Sequence, residues 1–232
     1  MTPSARPTRH LLVLALAVLC AAACGSTEST DKAADAGGSG AESLVREANE
    51  VMRTTAFRAS GPTTVVRGGV QRTSWDPDKG LRIVTSGTAE GEMYCKDGMS
   101  YLSASLLAAS LNDSGQDVRV PEDLADAYVS TETGGRCDAL FRISESAERL
   151  PEKDTEVDGT PAKAVTVGDS RTEDVYYIAA SGTPYLLKRE SARDGRNSPT
   201  MYEDFGGSQD IAMPPSERIV PMDEFQQGIA AG

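Results

Sequence analysis

Apolar and polar positions change period along the chain. Leu11 to Cys20 is an unbroken apolar run, LLVLALAVLC, followed by the small residues Ala21 to Ala23. Gly25 to Gly40, GSTESTDKAADAGGSG, has almost no bulky apolar residue. Such a segment buries too little surface to offset its ordering entropy, so it predicts a flexible tether. From Ala41 to Thr55 the residues Leu44, Ala48, Val51, Met52 and Thr55 share one face at helical spacing, with charges on the other. This predicts an amphipathic helix. The period then drops to two: FRASGPTTVV, GVQRTSWD, LRIVTSG, AEGEMYC and MSYLSA are short β-prone segments separated by GP, GG, DPDKG, GT and KDG. Those separators are turn signals, and strands joined by turns this short are antiparallel neighbours.

The middle of the chain is less regular. SLLAASLN (Ser105 to Asn112) and PEDLADAYV (Pro121 to Val129) read as short helices. CDALFRISESAERL reads as a longer one, with Leu140, Ile143, Ala147 and Leu150 on one face and Pro151 as its stop. Strand patterns then return in TPAKAVTVG, EDVYYIAA, TPYLLKRES, TMYEDFG and SQDIAMPP, linked by loops that suit a meander. Helix, strands, helices, strands is the order of an α+β domain: an antiparallel sheet with helices on one face. If the sheet curves, helices inserted mid-chain can cover its concave side.

Arg6, Arg9 and His10 precede the apolar run, and no acid does. Basic start, short apolar core and small residues are the parts of a secretory signal peptide over residues 1–23. The run is too short to span a bilayer, which takes about 20 residues. AAACGS resembles the lipobox of bacterial lipoproteins, which implies cleavage before Cys24 and acylation of Cys24. Leu19 is too large to precede a cut at Cys20. The implied organisation is a signal peptide (1–23), a lipidated tether (24–40), a single domain (41–225) and a C-terminal tail (226–232). The expected location is the outer face of the cell membrane, held by the Cys24 lipid; two or more acyl chains anchor a protein stably where one alone is marginal.

Charge and composition narrow the chemistry. The chain carries 23 Lys+Arg and 35 Asp+Glu, a net charge of −12, and loss of the signal peptide takes it to −14. Such a surface repels nucleic acid and anionic headgroups. His10 is the one histidine and lies in the signal peptide, so histidine-based catalysis and histidine metal sites are not expected in the mature chain. Asp76, Asp78 and Gly80 in WDPDKGL do not fit a calcium loop and read as a hairpin turn. No S-x-x-K motif is present, GGSQ after Phe205 lacks the lysine of a phosphate loop, and the many acidic residues produce carboxylate pairs by chance. No catalytic residue, metal or cofactor is therefore assigned, and the chain is expected not to be an enzyme. Cys95 and Cys137 are the cysteines left after Cys24, and outside the cytoplasm an even pair reads as a disulfide.

EVDGTPAKAVTV (Glu156 to Val167), VYYIAASGTPYLLKRE (Val175 to Glu190) and MYEDFGGSQDIAMPP (Met201 to Pro215) resemble the C-terminal strands of the LppX/LprG group of bacterial lipoproteins, of the LolA/LolB-like carrier fold. The shared features are a Val-Asp-Gly-x-Pro turn into a strand, a Gly-x-Pro hairpin, and a Tyr-x-x-Phe strand running to an Ile and a Pro. The resemblance implies a strongly curved antiparallel half-barrel, covered on its concave face by helices. It also implies a lipid or other apolar ligand held between sheet and helices, in a space on the order of 1,000 Å³ or more for an acyl chain. Val84, Met93, Tyr177, Leu187 and Phe205 are the candidate wall, and Leu106, Leu140 and Ile143 the helix residues expected to face it. The alternative is a protein-interaction or envelope-sensing module with a filled core. A strand face lining a cavity and one packing a core alternate alike, so both stand at this point.

Overall fold

The computed structural model describes residues 36–63, 66–169, 172–193 and 196–231. The signal peptide, Cys24 and the tether as far as residue 35 lie outside the described residues.

Helix α1 (Ala36–Thr54) begins five residues before the amphipathic pattern. Ala41, Val45, Ala48 and Met52 are its buried line, at steps of four, three and four. Leu44 is only partly buried, so the face is rotated slightly from the one read in the sequence. Five strands follow as a meander: β1 (Phe57–Pro62), β2 (Val70–Asp76), β3 (Gly80–Ser86), β4 (Gly91–Lys96) and β5 (Met99–Ser103). Helix α2 (Ala104–Asp113) comes next, then β6 (Tyr128–Glu132), the short β7 (Glu148–Arg149) and β8 (Thr155–Val157). A second meander comprises β9 (Thr160–Gly168), β10 (Thr172–Ala179), β11 (Leu186–Arg193) and β12 (Arg196–Glu203). Strand β13 (Ile219–Pro221) and helix α3 (Met222–Ala231) end the chain.

Antiparallel pairing of β12 with β1, Ala59 opposite Tyr202, joins the meanders into one sheet. Its order is β13-β6-β5-β4-β3-β2-β1-β12-β11-β10-β9-β7, with β8 also on β9. The end strands do not pair with each other, so the sheet is an open half-barrel. All its pairings are antiparallel except β13 with β6. The KDG and VDG signals are two-residue turns in which both central residues have positive φ, Asp97 and Gly98 at 50° and 79°, Asp158 and Gly159 at 49° and 80°. That is the turn whose twist matches paired strands.

Three expectations fail in the connecting segments. Pro121 to Val129 is a single 3-10 turn, Glu122–Leu124, followed by β6, because Tyr128 to Glu132 finds a strand partner in β5. CDALFRISESAERL is a 3-10 turn (Cys137–Leu140), then irregular chain and the short β7, not a helix. Its backbone is claimed from outside. The side chain of Asn49 donates to the Ile143 carbonyl and accepts from the Ile143 N–H, both at 2.8 Å, and Cys137 is bonded to Cys95. SQDIAMPP forms no strand. The expected tail 226–232 is instead the end of α3, through Ala231, with Phe225 buried beneath it.

Candidate functional site

Register and alternation fix what faces the interior. On the concave side lie Phe57 and Ala59 of β1, Thr73 and Trp75 of β2, Leu81 and Ile83 of β3, and Met93 and Cys95 of β4. Tyr202 and Thr200 of β12, Arg189 of β11, Tyr176 of β10 and Val165 of β9 complete it. One half of this interior is filled. Val45, Ala48 and Met52 of α1 press on Phe57, Trp75, Leu81, Ile178 and Leu186 in one continuous core. The 137–147 segment closes over it: Phe141 lies edge-on to Phe57 at 5.0 Å and 5.1 Å from Trp75. The Trp75 indole N–H donates to the Arg53 carbonyl, so this aromatic is satisfied within the protein. Packed against the filled region are partly buried apolar side chains, among them Leu44 from α1, Ile83 and Met93 from one side of the half-barrel and Val167 from the other. At the β6 end, Val129 packs with Ala104 and Phe225 under α2 and α3.

The other half of the interior is polar. Arg189 faces inward between Tyr176 on β10 and Thr200 on β12, its direct cross-strand partners. A bulge puts it there: Tyr177 pairs with Lys188 and Ile178 with Leu186, so Leu187 is extra and the inward set shifts by one. The Arg189 Nε is buried without a hydrogen-bond partner, and Arg189 makes no ion pair among the described residues. The Thr200 hydroxyl, on a residue only 3% exposed, is likewise unpartnered. A Cβ added to Gly61 would lie 2.9 Å from that hydroxyl, so the glycine leaves it room. Asp174, also inward, takes Arg193 at 2.8 Å on one oxygen and leaves the other buried and unpaired. Burial, then the nearby Asp174 charge, pushes the Tyr176 hydroxyl up to about 12, and burial raises Tyr202 as well. Both stay neutral at physiological pH. Further out on the same strand faces, Arg193 and Ser198 help line a cleft of about 510 Å³ with Thr63, Val66 and Asp113.

The residues singled out in the sequence fall in several places. Met93, Phe205 and Ile143 belong to the main core, with Phe205 stacked on Tyr185 at 4.2 Å. Tyr177 and Leu187 lie on the outer face, in a separate cluster with Val157, Ala162, Ala164 and Val175. Val84 also faces out, between Arg72 and Glu92. Leu106 is buried in α2 beside Gly91, and Leu140 is 48% exposed. The eight therefore do not line one space. Cys95 and Cys137 are bonded, their Cα atoms 5.6 Å apart. Sequence reasoning missed Arg189, Thr200 and Asp174.

Two further features lie outside the barrel. A cleft of about 610 Å³ between α1 and the 136–145 segment is lined by Arg46, Arg53, Arg136 and Arg142 together with acids that pair with them, as in Arg53–Glu50 and the exposed Arg136 on the buried Asp138 carboxylate. On the outer face Glu92 accepts from Tyr94 at 2.6 Å, from Tyr128 at 3.1 Å and from Arg82. Among the described residues no group of acids, cysteines or histidines is placed to hold a metal, and no helix is long and apolar enough to cross a membrane.

No protein-family model and no curated protein sequence matches the chain. Solved structures do. LprF from Mycobacterium bovis is 10% identical over 76% of this chain and 97% of its own, with a TM-score of 0.43. An uncharacterized conserved protein from Thermus thermophilus is 9% identical over 78% and 99%, with a TM-score of 0.50. The lipoprotein LppX from Mycobacterium tuberculosis is 9% identical over 75% and 99%, with a TM-score of 0.43. The likeness is one of fold. It is the fold the sequence resemblance implied, an open antiparallel half-barrel with helices over its concave face.

Proposed function

We propose that the chain is a lipoprotein acylated at Cys24, anchored on the outer face of the cell membrane, that binds or carries a lipid or other apolar ligand between its sheet and its helices, without catalysis. The observation that carries the reading is the incomplete filling of the concave side. Leu44, Ile83, Met93 and Val167 are apolar, face inward or toward the interior, and are only partly buried. A sheet face that served only as core would bury them, since each buried side chain of this size is worth about 1.5–3 kcal/mol. The filled half, from Val45 and Met52 to Phe57 and Phe141, favours a second reading, an envelope interaction module that carries nothing.

The test uses the full chain from its native host. Membrane-extracted protein is purified and its bound lipids identified by mass spectrometry, and a Cys24→Ser variant is fractionated alongside. The expected results are an acyl lipid at near one per protein and release or non-processing of the variant. Ligand-free protein from the native membrane would favour the interaction module. A variant that stays in the membrane with unchanged mobility would refute the anchor.

A further inference from the structure

The polar end of the interior is costly as it stands. A guanidinium turned into a half-barrel loses hydration, and that loss is normally offset by a carboxylate or by several acceptors. Arg189 is half-buried and its buried Nε has no acceptor, although the chain has twelve more acids than bases. The adjacent carboxylate, Asp174, is engaged by Arg193 instead. Next to the guanidinium the buried Thr200 hydroxyl has no hydrogen-bond partner, and Gly61 packs against it so closely that no side chain could stand there. Arg189, Arg193 and Asp174 together leave one net positive charge inside an acidic protein. Three unpartnered polar atoms out of the four buried ones found among the described residues belong to this one patch of three strands.

We infer that this patch is a head-group site: Arg189 and Thr200 receive the carboxylate or phosphate of an anionic amphiphile whose chain lies along the apolar margin of Ile83, Met93, Leu44 and Val167. The inference rests on the apolar-ligand reading above and adds the class of ligand. An Arg fork matches two oxygens of a carboxylate or phosphate, and a hydroxyl donor beside it suits a third acceptor position or the second lone pair. The cleft at Arg193 and Ser198 lies on the same strand faces, two residues from Thr200 and four from Arg189, and gives the route in.

The test is calorimetric titration of the full-length Cys24→Ser chain, stripped of lipid, with oleate, oleoyl lysophosphatidic acid, oleyl alcohol and inorganic phosphate. Hydrogen bonds to a charged partner predict that the two anionic amphiphiles bind about 10- to 100-fold more tightly than oleyl alcohol. Arg189→Met should bring oleate and oleyl alcohol to within about twofold of each other and not lower the melting temperature of the ligand-free protein. Thr200→Val should reduce the preference about 3- to 10-fold, a milder change that tests the site should Arg189→Met fail to fold. Equal binding of oleate and oleyl alcohol by the wild type overturns the head-group assignment while leaving the apolar-ligand reading intact. Displacement of oleate by inorganic phosphate alone also overturns it, making the patch a site for a free anion. Failure of all three chain-bearing ligands to bind overturns both.

Discussion

The sharpest test of how the half-barrel is closed is Asn49→Ala. Asn49 sits on α1, and its amide makes a two-way exchange with the backbone of Ile143, 94 residues away, each bond 2.8 Å. Ile143 is 1% exposed, so its N–H and C=O depend on the amide, and water entering from the cleft that Asn49 lines replaces it only in part. A buried backbone group left unpaired costs about 1–3 kcal/mol, and two are lost here. Partial rearrangement of the irregular 137–147 segment recovers some of this, which sets the expectation at about 2–4 kcal/mol. For a domain of this size each kcal/mol lowers Tm by about 2–4 °C, so the variant should melt roughly 5–15 °C below the wild type. Asn49→Asp separates the two bonds, since a carboxylate still accepts from the Ile143 N–H but cannot donate to its carbonyl. It should be no more stable than the alanine variant. Calorimetric melting gives the energy, and hydrogen exchange at the Ile143 amide gives the location. If Asn49→Ala stays within about 0.5 kcal/mol of wild type and the Ile143 amide remains protected, the amide is incidental and core packing alone holds the segment.

Two more predictions bear on the same scaffold. Replacing Cys95 and Cys137 together by Ala opens a loop of sequence separation 42 and should cost about 4 kcal/mol in the chain-entropy account, read as a shift in urea midpoint; a loss under about 1 kcal/mol would mean that the 137–147 segment is held by other contacts. Glu92 is subject first to burial, which raises its pKa, but bonds from Tyr94, Arg82 and Tyr128 outweigh this and hold it below the usual carboxylate value of 4.5. Its contribution is therefore present above about pH 4.5 and lost as pH falls through the depressed folded value, so Glu92→Gln should destabilise by up to about 1 kcal/mol at pH 7 and by progressively less below pH 4.5. A gap that widens toward acid would refute that assignment.

The strands were legible because their signals are local. Lys96-Asp97-Gly98-Met99 and Val157-Asp158-Gly159-Thr160 each carry a turn that forces a hairpin, and the pairing of Lys96 with Met99 and Val157 with Thr160 follows from loop length. The 137–147 segment was not legible because its conformation is decided by partners remote in sequence, Cys95 and Asn49, against a helical spacing of Leu140, Ile143 and Ala147 that is real but unused. Helix α3 did leave a trace: Pro221 before it, Asp223 and Glu224 in its first turn, and Phe225 one turn from Ile229. Gly228 inside the pattern and the short distance to the chain end obscured it.

The interior was harder to read than the fold, for a reason visible in two adjacent residues. Tyr176 and Tyr177 must point to opposite faces, but alternation does not say which is inside, and a slip of one residue exchanges the whole set. Both are buried, because the outer face carries its own apolar cluster around Val157 and Ala164. Hydrophobicity therefore gives no vote. On β11 the difficulty doubles. Strict alternation from the buried Leu186 would turn Lys188 inward and Arg189 out. The bulge opposite Tyr177 absorbs Leu187, leaves Leu187 and Lys188 both on the outer face, and turns Arg189 in toward Thr200. Bulges re-aim side chains, and this one exchanges the Lys188 that strict alternation would turn inward for Arg189. Straightening β11 would move Arg189 to the outer face and turn Lys188 inward in its place. The irregularity sets Arg189 rather than Lys188 on the inner face, with its Nε buried and unpartnered beside the Thr200 hydroxyl, and that pairing of donors is the structural ground for expecting an anion to meet them there.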